Sequence, residues 1–308
     1  MLAFYLFTPI EDPYAEVEKH HAFFQDRDIR SRIYISHQGI NAQMSALKEH
    51  ALEYIAWMRE DARFREIEFK CHTYHEQVFP RATVKVKEQL VALDHNADPT
   101  QGGEHVSPAR WKEMLKEAKE EVLLLDVRND YEWKIGHFKG AVKPRLDIFR
   151  KFPQYARELK ESYDPKKTKV MMYCTGGIRC ELYSALMKQE GFETVYQLDG
   201  GIIKYGLEEG SDEWAGKLFV FDDRLAVPLS EKEDVISSCL HCQKPSDTYY
   251  NCANMDCNEL FTCCPECADV FLGCCKQECK CAERVRPYEK EAKPKPFRRA
   301  HYYEMANS

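Results

Sequence analysis

Residues 169–192 read KVMMYCTGGIRCELYSALMKQEGF, and this stretch decides the fold at the centre of the chain. KVMMYC is a short apolar run of the kind that forms a strand buried on both faces. IRCELYSALMKQEGF has helical apolar spacing and closes at Gly191, a residue type that ends helices readily. Between them CTGGIR makes a tight strand-to-helix turn. Upstream, SPARWKEMLKEAKEE (107–121) has a capping serine, a first-turn proline and helical spacing, and EVLLLDVR (121–128) is another buried strand. Downstream, TVYQLDGG (194–201) is a further strand. Strands alternating with helices predict a doubly wound α/β sheet with reactive groups at the carboxyl ends of its strands. Cys174 stands at such an end.

Toward the amino terminus the pattern changes. The strand AFYLF (3–7) precedes a helix opened by Glu11, Asp12 and Pro13 that runs to about Phe24; RSRIYIS (30–36) and INAQMSA (40–46) are strands joined by a turn at Gln38 and Gly39. LKEHALEYIAWMRE (47–60) is helical, and EIEFKC (66–71) and ATVKVKEQLVAL (82–93) read as strands. This β-α-β-β-α-β order predicts a ferredoxin-like α+β domain over residues 1–95. The turn-rich HNADPTQGGE makes residues 96–104 a linker, and the α/β domain follows at 105–215. A connector (216–238), a cysteine-rich module (239–282) and a basic, flexible tail (283–308) complete a multidomain α/β chain.

Composition excludes several classes. At 308 residues the chain is too long for a single peptide module, and 44% apolar with 31% charged residues is ordinary for a globular protein. No apolar run approaches the roughly 18 residues that would mark a membrane span. The opening MLAFYLF lacks a basic flank and a small-residue cleavage site, so it reads as a strand and the expected location is cytoplasmic. With 51 acidic against 44 basic residues and a formal charge of -7, the surface is not uniformly basic, although a local basic patch is allowed. Eleven of the 14 cysteines lie between Cys239 and Cys281, which in a reducing compartment points to metal rather than disulfides.

The central turn carries chemistry. Cys174 ends a strand, Gly176 and Gly177 let successive backbone N–H groups turn inward, and a helix begins near Ile178. A nest of donors at a helix amino end favours a negative sulfur, and Arg179 adds a fixed positive charge. The active loop is therefore Cys174, Thr175, Gly176, Gly177, Ile178 and Arg179, with Cys174 as nucleophile. Cysteine phosphatases have five residues between Cys and Arg; here there are four, and the smaller ring suits sulfur. Cys180 is read as a small buried residue, with resolution of an oxidised Cys174 as its alternative role. Asp126 and Arg128 are expected to form a supporting strand-end ion pair.

CLHC, CANMDC, CCPEC and CCKQEC supply ligands for two tetrahedral sites. The expected quartets are Cys239, Cys242, Cys264 and Cys267, and Cys252, Cys257, Cys275 and Cys279, each holding a structural zinc. Eight of the eleven are needed, so the choice stays open at Cys263, Cys274 and Cys281, with His241 as a weaker alternative ligand. Arg284, Arg286, Lys290, Lys293, Lys295, Arg298 and Arg299 form a basic run that could offset the thiolate charge or meet RNA phosphates.

CTGGIR resembles the six-residue active loop of rhodaneses, whose cysteine carries a persulfide. LLLDVRNDYEWKIGHFKGA (123–141), with Asp126, Arg128, Glu132 and His137, and GFETVYQLDGGI (191–202) are similar to other segments of that family. With FRKFPQY (149–155), KLFVFDDRLAV (217–227) and the cysteine module, the whole chain resembles the bacterial tRNA uridine hydroxylase family. That resemblance implies a ferredoxin-like domain, a rhodanese domain and a cysteine-rich end. It also implies oxygen-dependent conversion of the wobble uridine, position 34 in the tRNA anticodon loop, to 5-hydroxyuridine. No histidine has a carboxylate two residues on, and no GxGxxG follows a strand, so neither a facial iron triad nor a Rossmann flavin or nicotinamide site is indicated. The alternative is sulfurtransfer through a Cys174 persulfide charged from thiosulfate or a sulfur donor protein. An intact Cys174 and Arg179 speak against a non-catalytic adaptor.

Overall fold

The computed structural model describes residues 1–117, 122–231, 233–290 and 292–297. These residues group into two compact units, one of residues 1–128 with 142–209, the other of residues 129–141 with those from Gly210 onward.

The first unit begins with β1 (Leu2–Phe7), α1 (Pro13–Phe24), β2 (Ile29–Ser36), β3 (Gly39–Ala46), α2 (Lys48–Glu60), β4 (Lys70–Cys71) and β5 (Val84–Val86). Helix α1 starts where the sequence predicts, with the Asp12 carboxylate accepting from the N–H groups of Tyr14 and Ala15 and Pro13 in its first turn. The strands form one sheet in the order β4-β1-β3-β2-β5, whose first four members have the ferredoxin-like arrangement. Pairing is antiparallel except between β2 and β5. Strand alternation sends Leu2, Phe4, Ile33, Ile35, Ile40, Ala42 and Met44 into a core shared with Phe24 of α1 and Tyr54 and Met58 of α2. Tyr5, Arg32, Tyr34, Asn41 and Gln43 alternate onto the opposite face, where they are half-buried.

Two expected strands are shorter than their apolar patterns suggested. EIEFKC pairs only at Lys70–Cys71, and ATVKVKEQLVAL only at Val84–Val86. Beyond Val86 the chain leaves the sheet because Leu90, Val91 and Leu93 are drawn into the core of the next domain. Burial in one core looks like strand patterning for another when only apolar content is read.

The first unit continues with β6 (Glu104–Val106), α3 (Pro108–Glu117), β7 (Val122–Asp126), α5 (Phe152–Ser162), β9 (Lys169–Tyr173), α6 (Ile178–Gln189), β10 (Thr194–Leu198) and α7 (Gly201–Glu209), while α4 (Asp130–Trp133) and β8 (Gly136–Phe138) belong to the second. β6, β10, β9 and β7 make an all-parallel sheet in that order, with α3 beside α7 and α5 beside α6. This is the α/β domain that the alternating pattern predicts, although the last residues of the expected 107–121 helix lie outside the described residues.

The segment read as a linker is held in place. The Ser184 hydroxyl accepts from the Gly103 N–H at 2.8 Å, the Gln197 amide donates to the Gly103 carbonyl at 3.0 Å, and Glu104 opens β6. A Cβ at Gly103 would come within 2.6 Å of the Val195 carbonyl oxygen, so its glycine content serves close approach rather than flexibility.

In the second unit, β8 pairs with β11 (Trp214–Gly216), and β12 (Leu218–Phe219) pairs with β13 (Ala226–Val227). A hairpin of β14 (Tyr249–Asn251) and β15 (Leu260–Thr262) and two short helices, α8 (Pro265–Phe271) and α9 (Gln277–Lys280), carry the cysteines. Ile135, Phe219, Leu225 and Tyr249 form one small core, and buried cysteines make up much of the other. Among the described residues no helix is long and apolar enough to cross a membrane.

Candidate functional site

Cys174 follows the last residue of β9, and α6 begins four residues later. Gly177 is the pivot between them, with φ +103°, a conformation that a side chain would strain. The turn brings its N–H to 3.1 Å from the Cys174 sulfur. From the other side, the Ile202 and Ile203 N–H groups at the start of α7 donate to the carbonyls of Cys174 and Thr175 at 3.0 Å each. Those carbonyls are taken up by α7, while the N–H groups of Gly177, Arg179 and Cys180 meet the sulfur. The approach needs a glycine, since a Cβ at Gly201 would lie 2.6 Å from the Cys174 carbonyl oxygen.

The electrostatics follow from this geometry. Full burial pushes the Cys174 thiol up, but the Cys180 thiol, the Arg179 charge and the N–H groups of Arg179 and Cys180 outweigh it, and the pKa falls to about 5. Cys174 is therefore a thiolate at neutral pH. Burial, then the hydrogen bond and charge of Cys174, push Cys180 well up, so Cys180 stays a thiol and its S–H donates a hydrogen bond to the Cys174 sulfur. Arg179 is almost buried, and its guanidinium donates to the Thr175 hydroxyl at 3.2 Å.

The structure places Asp126 and Arg128 together at the end of β7, beside β9. The Arg128 guanidinium donates to both Asp126 oxygens at 2.9 and 2.6 Å, both residues are fully buried, and the guanidinium stands 5.7 Å from the Tyr173 ring centre. The pair braces the strand that presents Cys174. Tyr173, Tyr183 and Phe149, the aromatic residues around the motif, are buried.

The eight expected metal-ligating cysteines are also brought together. Cys239, Cys242, Cys264 and Cys267 form one group and Cys252, Cys257, Cys275 and Cys279 another, with the sulfur atoms of each within 4.8 Å of one another. Two groups of four thiols fit tetrahedral metal ions and leave no position for a reacting ligand.

Three family models match in succession: a UPF0176 acylphosphatase-like domain over residues 1–90, a rhodanese-like domain over 107–208 and a rhodanese C-terminal domain over 215–280. The chain is 57% identical over 304 residues to a protein of Protochlamydia amoebophila named tRNA uridine(34) hydroxylase, covering 98% of this chain and 95% of the relative. The chain belongs to the tRNA uridine(34) hydroxylase family. A Chlamydia pneumoniae protein of the same name is 51% identical, covering 100% of this chain and 95% of the relative. Among solved structures, a rhodanese-like domain from Anabaena is 20% identical with a TM-score of 0.30, covering 36% of this chain and 78% of that one.

In this family member the cysteine loop has a second layer of contacts that its sequence motif does not disclose. The Lys70 amine of β4 donates to the Gly176 carbonyl at 3.0 Å and is itself nearly buried. The Tyr5 hydroxyl of β1 donates to Glu181 at 2.7 Å, and a Cβ at Gly177 would meet that hydroxyl at 2.7 Å. Glu181 also faces His105 at 2.9 Å, and Lys204 bridges Glu68 and Asp199 at 2.7 Å each. Burial and the Glu181 carboxylate hold the Tyr5 phenol protonated, and burial pulls the Lys70 ammonium below its usual range. An isolated lysine and tyrosine 65 positions apart give no sequence signal; only the pairing of Ala3 with Lys70 puts them side by side.

The basic run is less available than its composition suggests. Arg284 pairs with Asp256, Arg286 donates to the carbonyls of Asn251 and Cys252, and Lys290 pairs with Asp269 at 3.1 Å. These three serve the cysteine module. Lys293 and Lys295 are exposed, and Arg298 and Arg299 lie outside the described residues.

Proposed function

We propose that this protein hydroxylates C5 of the wobble uridine of tRNA, using Cys174 as the nucleophile, with dioxygen as oxidant and two electrons from an external reductant. The observation that carries the reading is the amide-lined, arginine-flanked sulfur whose pKa falls to about 5. The thiolate adds to C6 of uracil, and the electron pair passes into an enolate spanning C5 and O4. C5 then forms a bond to one oxygen atom while the second oxygen leaves as water. Loss of the C5 proton expels the sulfur from C6 and restores the ring double bond. Arg179 and the loop amides hold the sulfur negative before attack and again as it departs. The target base lies in an anticodon loop, so no duplex need be opened. Cys174 has no exposed surface, so the cover over the loop must move for a base to reach it.

The two cysteine quartets would each hold a zinc ion, which fixes the second unit without entering the reaction. A cytoplasmic location agrees with a tRNA substrate and with free cysteine thiols.

The six-residue loop also suits a persulfide, which supports sulfurtransfer from thiosulfate or a donor protein as a second reading. Nucleoside mass spectrometry of tRNA from cells lacking the gene separates the two. Loss of 5-hydroxyuridine and its derivatives is expected, with thiolated nucleosides unchanged. Loss of thiolated nucleosides alone would replace the hydroxylase reading with the sulfurtransferase one.

A further inference from the structure

The open face of the amino-terminal sheet leads directly to the cysteine loop. Cross-strand register places Tyr5 of β1, Asn41 of β3, Tyr34 of β2 and Lys85 of β5 in one row on that face. The adjacent row runs Lys70, Ala3, Gln43 and Arg32. The turn at Gly176 and Gly177 lies over the β4 and β1 end, where Lys70 and Tyr5 touch it. Toward β5 the face is open. Tyr34, Asn41, Gln43 and Arg32 are half-exposed, Lys85 and Lys87 are exposed, and the Lys87 amine stands 5.3 Å from the Tyr34 ring centre. Among the described residues Arg32, Lys85 and Lys87 form no ion pair with an acid, in a chain whose formal charge is -7.

We infer that this half of the sheet receives the tRNA, with unpaired nucleotides beside the target base lying along the Tyr5–Asn41–Tyr34–Lys85 row. Tyr34 stacks a base, Asn41 and Gln43 offer hydrogen bonds to base edges, and Arg32, Lys85 and Lys87 meet phosphates. The inference rests on the proposed tRNA substrate. Its physical basis is the uncompensated positive charge, the half-exposed aromatic ring among those charges and the continuity of the row with the catalytic turn. From Tyr5 to Lys85 is three strand spacings, roughly 14 Å, enough to seat more than the reacting nucleotide.

The test uses the full-length protein and an unmodified tRNA carrying uridine at position 34. Tyr34→Ala is expected to raise the Kd about tenfold, as loss of one stacked base does. Lys85→Gln combined with Lys87→Gln is expected to flatten the slope of log K against log salt by about 1.4, or about 0.7 for each phosphate contact. Lys166→Gln combined with Lys167→Gln, exposed near the opposite end of β9, serves as the charge control and is expected to leave both quantities unchanged. All substituted side chains reach the surface, and an unaltered Cys174 titration in each variant verifies that the loop is intact. Affinity and salt slope equal to wild type in both sheet variants, or an equal loss in the control, would overturn the inference. Formation of 5-hydroxyuridine by the wild-type protein reports separately on the proposed reaction.

Discussion

Cys174→Ser is expected to lower 5-hydroxyuridine formation by at least about a thousandfold while tRNA binding stays within the wild-type range. The substitution keeps the volume and the turn, but replaces a sulfur whose pKa lies near 5 with a hydroxyl that the loop cannot ionise at neutral pH. The amide donors, Arg179 and the Asp126–Arg128 brace would remain, so the loss isolates addition to C6 from positioning. Quantitative nucleoside mass spectrometry of a reconstituted reaction, with a filter-binding measurement beside it, reads both effects. Product formed by the serine variant at a rate near wild type would remove the covalent step from the mechanism.

Metal removal is expected to have the second largest effect, and on stability rather than chemistry. Structural zinc contributes about 10–16 kcal/mol in small zinc modules, which is as large as the whole stability of an ordinary domain. The cysteine core of the second unit is small and made largely of the ligands themselves. A strong chelator, or Cys252→Ser together with Cys264→Ser, should therefore abolish the cooperative unfolding of that unit. Elemental analysis should give two zinc per untreated chain. Cys281→Ser, exposed and outside both quartets, is expected to retain both metals. Well under two zinc in the untreated protein would reject the pair of sites.

Much of this architecture is readable from residue order because it depends on local rules. The alternation around KVMMYC and EVLLLDVR requires a parallel sheet, the glycines after Cys174 require a turn, and paired cysteines at short spacing converge when the hairpin and helices form. What escapes the sequence depends on contacts between distant segments. Leu90, Val91 and Leu93 look like the end of a strand but belong to the next domain's core. HNADPTQGGE has linker composition, yet Ser184 and Gln197 fasten it. Lys70 and Tyr5 become neighbours of the cysteine loop only through the docking of one sheet on another domain's turn. Tyr173, next to Cys174 in sequence, is hidden for the converse reason, since a strand buried on both faces sends it into the core.

The central claim is that the fold keeps Cys174 ionised at neutral pH. Titration of the far-ultraviolet thiolate absorbance, taken as the difference between wild type and Cys174→Ser, measures this directly without requiring a reagent to enter the buried loop. With the folded pKa depressed, the thiolate signal should be complete at pH 7 and disappear only as pH falls through about 5. A signal absent at pH 7 that grows in near the ordinary thiol value of 9.0 would contradict the account.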